Sequence, residues 1–274
     1  MTKNLIKEMM TKSSKSKSQE SEESIVIEDD KFNAKAFIET IENGYLADRG
    51  PKFEKKYKFS PSKIAYGFGK CPRYWYLAFE GGTTEDTSKP YDVANMMNGT
   101  MGHSRVLETA LKKSGIAIDV EFKIDYDSPP IHGYCDGLAN WKDEDYVIEL
   151  KTCNNEVFEY RKRTGKAKLG HIEQLLMYMK ILNKGCGVVL YENKNTHELL
   201  AIPVYANDHY KKWVEGLFEW LHKTRNAWEE KTMPMKPYRS NSKVCKNCPF
   251  FSECSKAEAG VIKIEPLEEL SEAM

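Results

Sequence analysis

Residues 131–152, IHGYCDGLANWKDEDYVIELKT, decide how this chain folds. Two runs rich in β-branched and aromatic residues, 131–139 and 146–152, are bounded by Gly, Pro, Asn or Asp, the pattern of successive strands. Side chains alternate across a strand, so Glu149 and Lys151 project to one side and Ile148, Leu150 and Thr152 to the other. Upstream, 116–124 reads as another strand, and 92–113 as a helix with Val106, Leu107, Ala110 and Leu111 at helical spacing. Downstream, 169–182 is an amphipathic helix with Ile172, Leu175, Leu176 and Met179 on one side. A hairpin of strands 187–192 and 197–204 follows, then a long helix over 207–230. The order of helix, three strands, helix, two strands and helix predicts an α/β fold with a mixed sheet flanked by helices.

The remainder of the chain sets bounds on function. Its 274 residues hold 41 basic and 41 acidic side chains, which excludes a uniformly basic nucleic-acid binder but not a local basic groove. Residues 1–31, mostly Lys, Ser and Glu, read as a disordered leader, 32–258 as one domain, and 259–274 as an acidic tail. That tail is read as a frayed terminus or as a docking peptide for a protein partner. No run approaches the ~18 apolar residues of a membrane span, and the N-terminus lacks the apolar core of a secretory signal, so an intracellular protein is expected.

The strand pair carries the chemistry. A carboxylate beside an ammonium at the end of an apolar strand, Glu149 and Lys151, suits a hard divalent cation with a lysine in reach of its water. Asp136, in the Gly-bounded stretch GYCDG, supplies a second carboxylate. By itself E-x-K is an ordinary surface ion pair, and only its company narrows the reading. His103, in NGTMGHSRVLE, is a competent ligand for Mn²⁺ and a tolerable one for Mg²⁺, while Glu108 and Glu121 read as structural. His132, four residues from Asp136 and thus roughly 13 Å along the strand, is too far to share the ion. Gln174 and Tyr178 share one side of their helix at i and i+4, where they can orient a nucleotide or simply bound the apolar stripe.

Seven cysteines without an export signal argue against a disulfide framework. Cys135, Cys153 and Cys186 lie in or beside apolar elements and read as buried thiols. Cys245, Cys248 and Cys254 form a tight triplet that needs a fourth ligand, and Cys71 in KCPRYWYL is the best candidate. Zinc satisfies four thiolates, but one isolated cysteine plus a compact triplet fits an iron–sulfur cluster better than paired zinc knuckles.

Taken in order, SPSKIAYGFGKCPRYWYL with Cys71, then His103, Asp136, Glu149-Leu150-Lys151, the Gln174/Tyr178 helix and the Cys245, Cys248, Cys254 triplet resemble the RecB-like branch of the PD-(D/E)XK nucleases. The similarity is to its iron–sulfur members, which include the CRISPR adaptation exonucleases and the AddB nuclease domain, and spans 60–254. It implies a restriction-endonuclease-like sheet, with His103, Asp136, Glu149 and the Leu150 carbonyl on Mg²⁺ or Mn²⁺ and Lys151 as the catalytic lysine. It further implies Gln174 and Tyr178 as an additional family motif, and a largely structural 4Fe-4S cluster on the four cysteines, joining the N- and C-terminal parts. The function implied is a metal-dependent DNA exonuclease acting on single-stranded ends in recombination, repair or phage or CRISPR DNA processing, in the cytoplasm of a bacterial, archaeal or phage-infected cell. The alternatives are a DNA-binding or assembly module with lost or secondary catalysis, and a zinc-stapled structural protein. Arg161, Lys162, Arg163, Lys166 and Lys168, with Lys52, Lys55, Lys56 and Lys58, are candidates for the phosphate backbone. Arg73, Tyr74, Trp75 and Tyr76 are read as base-stacking residues or, preferably for the three aromatics, as core around the cluster.

Overall fold

The computed structural model describes residues 32–271, and these divide into two units between Gly44 and Tyr45. The expected leader therefore lies outside the described residues. The first unit carries one helix, α1 (Ala34–Gly44), whose first turn is capped by the Asn33 side chain accepting the Ala36 N–H.

The second unit opens with a small antiparallel pair, β1 (Lys52–Glu54) and β2 (Gly82–Thr84), with α2 (Pro61–Ile64) and α3 (Pro72–Glu80) between them in sequence. After α4 (Pro90–His103) comes the main sheet, β3 (Ala117–Tyr126), β4 (Ile131–Trp141), β5 (Glu144–Cys153), β6 (Cys186–Asn193) and β7 (Leu199–Tyr205). Its spatial order follows the chain, antiparallel throughout except for the parallel pair β5–β6. A parallel pair needs a crossover, and here it is made by α5 (Asn155–Thr164) and α6 (Leu169–Ile181). The long helix α7 (Asp208–Glu229) follows, capped by Asn207 accepting the Tyr210 N–H, then two short turns, α8 (Lys243–Lys246) and α9 (Phe251–Lys256). The fold is the expected α/β type, a mixed sheet between helices. Among the described residues no helix is long and apolar enough to cross a membrane.

Three apolar clusters hold these layers. Val147, Val189, Tyr191, Ile202 and Val204 meet Leu175, Leu176 and Met179 of α6 on one face of the sheet. Ile148 and Leu150 meet Val106 and Leu107 on the other, so the alternation read from β5 is the one observed. The third joins Phe59, Tyr74, Trp75 and Phe79 to Leu217, Trp220 and Leu221 of α7.

Two features differ from the sequence reading, and a third decides between its alternatives, in favour of the core reading of the aromatics. The single helix expected over 92–113 is two pieces. After α4 the backbone widens into a π-helical stretch (Ser104–Leu111) that bonds to the residue five back, as in Lys112 N–H to the Leu107 carbonyl. The aromatics Tyr74, Trp75 and Tyr76 are buried, and so is Arg73, whose guanidinium donates to the carbonyls of Pro234 and Glu258. None is a stacking surface, because α3 is packed on every side. Finally, the acidic segment 263–271 is neither frayed nor free for a partner. Leu267 and Leu270 are buried, and their N–H groups donate to the Lys70 carbonyl and to Glu173 Oε1. Trp213 and Trp220 donate their indole N–H groups to the carbonyls of Glu268 and Glu265. The two leucines supply the apolar contact that composition alone, dominated by Glu, conceals.

Candidate active site

The site begins where two strands part. β4 and β5 pair from Trp141↔Glu144 to Gly137↔Ile148 and no further, while β5 stays paired to β6 as far as Cys153. Beyond that fork the Leu150 N–H has no ladder partner on β4, and it donates instead to Asp136 Oδ2 at 2.7 Å. A backbone donor inside a sheet thus fixes a carboxylate in the gap between two strands. Glu149 and Lys151 stand on the arm of the fork opposite, with the Lys151 ammonium in contact with Glu149 Oε1.

The second wall comes from α4 and β3. Gly102 lets the end of α4 press on the sheet, since a Cβ there would lie 2.8 Å from Thr152 Cγ2 and 3.0 Å from Glu192 Oε2. His103 follows directly, with its Nδ1 3.8 Å from Asp136 Oδ1 and sharing a 2.6 Å hydrogen bond with Glu121 Oε1. Glu121 sits on β3 between Val120, opposite Gly137, and Phe122, opposite Cys135, with φ +51. A non-glycine residue in that region stores strain, and such residues gather at functional sites. Val120 belongs to the cluster on the α4 side whereas Phe122 packs toward α6, so the strand changes face at Glu121. Among the described residues, His103, Glu121 and Asp136 form the set whose ligand atoms all lie within 4.8 Å of one another.

The electrostatics are those of a cation site. Glu149 is fully buried; its Oε1 meets the Lys151 ammonium, and its Oε2 accepts no hydrogen bond. Burial, and then the neighbouring Asp136, push its carboxyl up to about 8. Burial likewise raises Asp136, against the pull of Lys151, His103 and the Leu150 N–H. For Lys151 burial works against the ammonium, but Glu149 and Asp136 outweigh it and the pKa rises. Two buried carboxylates facing one ammonium cannot both ionise cheaply without a further cation, and the donor set fits a hard divalent ion.

The remaining predicted residues fall as follows. Tyr178 is buried on α6, donates its hydroxyl to the Tyr134 carbonyl at 2.8 Å and bonds to the Gln174 side chain. Burial and the charges of Glu149 and Asp136 raise its pKa. Tyr178 therefore braces β4 beyond the fork, and Gln174 holds Tyr178. His132 rests edge-on against the Tyr134 ring, and Glu108 accepts from Ser104 within the π-helical stretch.

Of the basic runs, Lys58 pairs with Asp125 and Asp127, Lys56 with Glu54 and Lys162 with Glu198, while Arg161 stacks over the Tyr191 ring at 4.6 Å. One residue close to the fork was not singled out in the sequence. His171 on α6 bonds to the Tyr191 hydroxyl at 2.8 Å, and burial with the cations Lys151, Lys168 and Arg161 pushes its pKa down to about 2. A histidine three residues before Gln174 on the same helix face was the available signal.

Cys71, Cys245, Cys248 and Cys254 line one cavity, walled by Phe68, Tyr74, Leu77 and Val244. Burial and the mutual proximity of the sulfurs push the thiols of Cys71 and Cys248 up to about 12. Cys135 is fully buried in the sheet core, and Cys153 and Cys186 are half-buried near it, outside this cavity.

No protein-family model matches this chain, and no curated protein matches it in sequence. Among solved structures the chain is similar to the alkaline exonuclease LHK-Exo from Laribacter hongkongensis, at 16% identity and a TM-score of 0.48 over 69% of this chain and 95% of that one. It is also similar to LHK-Exo in complex with dAMP, at 17% identity and 0.49 over 64% and 91%. For the crystal structure of SSO0001 the figures are 15% and 0.39 over 83% and 98%.

Proposed function

We propose that this protein is a metal-dependent deoxyribonuclease of the PD-(D/E)XK type, acting at the ends of single-stranded DNA. The observation that carries the reading is the buried carboxylate pair at the fork, Glu149 against the Lys151 ammonium and Asp136 faced by His103, with Glu149 Oε2 left without a hydrogen bond. His103, Asp136 and Glu149, with the Leu150 carbonyl, would hold Mg²⁺ or Mn²⁺, and Glu121 orients the imidazole through its hydrogen bond. When bound, the ion lowers the pKa of its water and neutralises charge on the phosphodiester. Lys151 holds its proton and orients the attacking water against the phosphate. Tyr178 and Gln174 keep β4 at the distance from β5 that the site needs. Water adds across the P–O bond, leaving one phosphate and one hydroxyl end.

The four thiols are the seat of a 4Fe-4S cluster in this reading. The support is that the isolated Cys71 and the compact triplet line one cavity, an arrangement that suits a cluster in which each iron takes one thiolate.

The test is cleavage of end-labelled linear and circular single-stranded DNA by anaerobically purified protein with Mg²⁺ or Mn²⁺, with Lys151→Ala alongside. Metal-dependent loss of the linear strand, absent in the variant and sparing the circle, is expected. Equal inertness of both proteins while both bind DNA would replace the enzyme with a binding module.

A further inference from the structure

We propose that the Tyr66 ring is a stacking surface for a nucleobase of the single-stranded substrate, next to the phosphate that Lys151 engages. The inference rests on the nuclease reading of the fork and names the part of the substrate that reading leaves unassigned. With α3 buried, the aromatics that the sequence offered for stacking are unavailable, and the structure presents a different ring.

Tyr66 is 59% exposed, yet it is not a loose side chain. It lies face to face on Phe68, with centroids 5.7 Å apart and planes 5° from parallel. Phe68 is itself a wall of the cysteine cavity. The backbone beneath is a tight turn, with Gly69 N–H bonded to the Tyr66 carbonyl and Cys71 N–H to the Phe68 carbonyl. Gly67 rests on Val244, next to Cys245. At its other end the turn touches α6, since a Cβ on Gly170 would lie 3.0 Å from the Ala65 carbonyl oxygen. The phenol is also close enough to Lys151 to bear on its ammonium.

An exposed ring held from one side therefore lies near Lys151. Lys168 lines a pocket with Ala65 and Gly67 of the same turn, so a second cation is at hand for the other half of a nucleotide. A flat aromatic face beside a cluster of cations is the chemistry that binds base and phosphate of a single strand without regard to sequence. A duplex keeps its bases stacked on one another and offers Tyr66 no free face except at a frayed end.

The experiment measures binding of a short single strand carrying 2-aminopurine at its penultimate position, in EDTA so that no cleavage occurs. Stacking on Tyr66 quenches the probe. Tyr66→Ala is expected to lose the quench and to bind about 5- to 100-fold more weakly, the range for one base–aromatic stack. Tyr66→Phe should stay within about twofold of wild type. A strand with an abasic site at that position should bind wild type as weakly as the intact strand binds Tyr66→Ala, with no further loss when the two changes are combined. Unchanged binding by Tyr66→Ala, or a Tyr66→Phe as weak as Tyr66→Ala, overturns the proposal and leaves the nuclease reading standing. A wild-type protein that binds no single strand overturns both.

Discussion

The fork and the cysteine cavity both gather side chains of the kinds that can ligate metal, and they are built in opposite ways. At the fork the ladder does the positioning. Asp136 and Glu149 lie on neighbouring strands, and the Leu150 N–H left over where pairing stops holds Asp136 in place. The cavity has no ladder. Cys71 stands at the start of a helix near one end of the unit, and its companions begin 174 positions on (71 to 245), Cys245 and Cys254 in short helices of four and six residues and Cys248 between them. Arg73 binds the carbonyls of Pro234 and Glu258 and so draws that distant segment in. A preorganised site of the first kind carries its charge at a cost to the fold, whereas a site of the second kind supplies cohesion only once it is filled.

The contrast can be broken experimentally. The largest effect is expected for Lys151→Ala, which should lower metal-dependent cleavage by about 10²–10⁴-fold. It should also lower the melting temperature of the metal-free protein, because Glu149 loses its one counter-charge; Glu149→Gln, equally inactive, should melt higher than Lys151→Ala. Cys71→Ser tests the other pole. It should abolish the visible absorbance of the purified protein and lower its melting temperature, and added Mg²⁺ should not restore either; a variant as coloured and stable as wild type would refute the cluster.

Leu270→Ala addresses the cohesion supplied by the segment that was expected to be a tail. It should cost about 2–5 kcal/mol in denaturant unfolding, as for other buried leucines, and a cost near zero would mean the segment is not docked in solution. Glu121→Ala should weaken divalent-cation binding by about 10–100-fold in calorimetry while leaving the fold intact.

The smallest effect is one of pH. Glu149, pushed up to about 8 from an ordinary 4.5, keeps its proton in the folded chain and loses it in the unfolded one across that window. The folded state then binds more protons, so the stability of the metal-free protein should fall as pH rises from about 4.5 to about 8. Glu149→Gln should flatten that slope in a series of thermal melts.

The sequence showed much of this and hid the rest for identifiable reasons. The β5 strand was plain because alternation separated Glu149 and Lys151 from Ile148 and Leu150, and the two core clusters preserve that division. The thiols were plain because three of them sit close together in polar coil. Glu121 was read as structural because its role depends on a backbone turned to φ +51, which no pattern of side chains encodes. The π-helical widening after His103 is a shift in hydrogen bonding and leaves the apolar spacing of Val106 and Leu107 intact. α5 was read as a basic run, since Phe158 is its one buried residue and no apolar stripe marks it. Its Asn154 cap and the left-handed Gly165 at its end were the usable signs. α3 has no assignment from the sequence, although Pro72 in its first turn and Gly81 just past its end are usable signs.

The separation of Cys71 from its three companions also sets a timetable. A ribosome adding about 5–20 residues per second makes Cys245 on the order of 10–30 s after Cys71, and Glu173 waits a further 97 positions for Leu270. In the later part of that interval the residues of the β4–β5 fork have been made while Cys71 still lacks its three companions. Any filling of the four-thiol cavity must therefore wait until the residues of the fork have all been made.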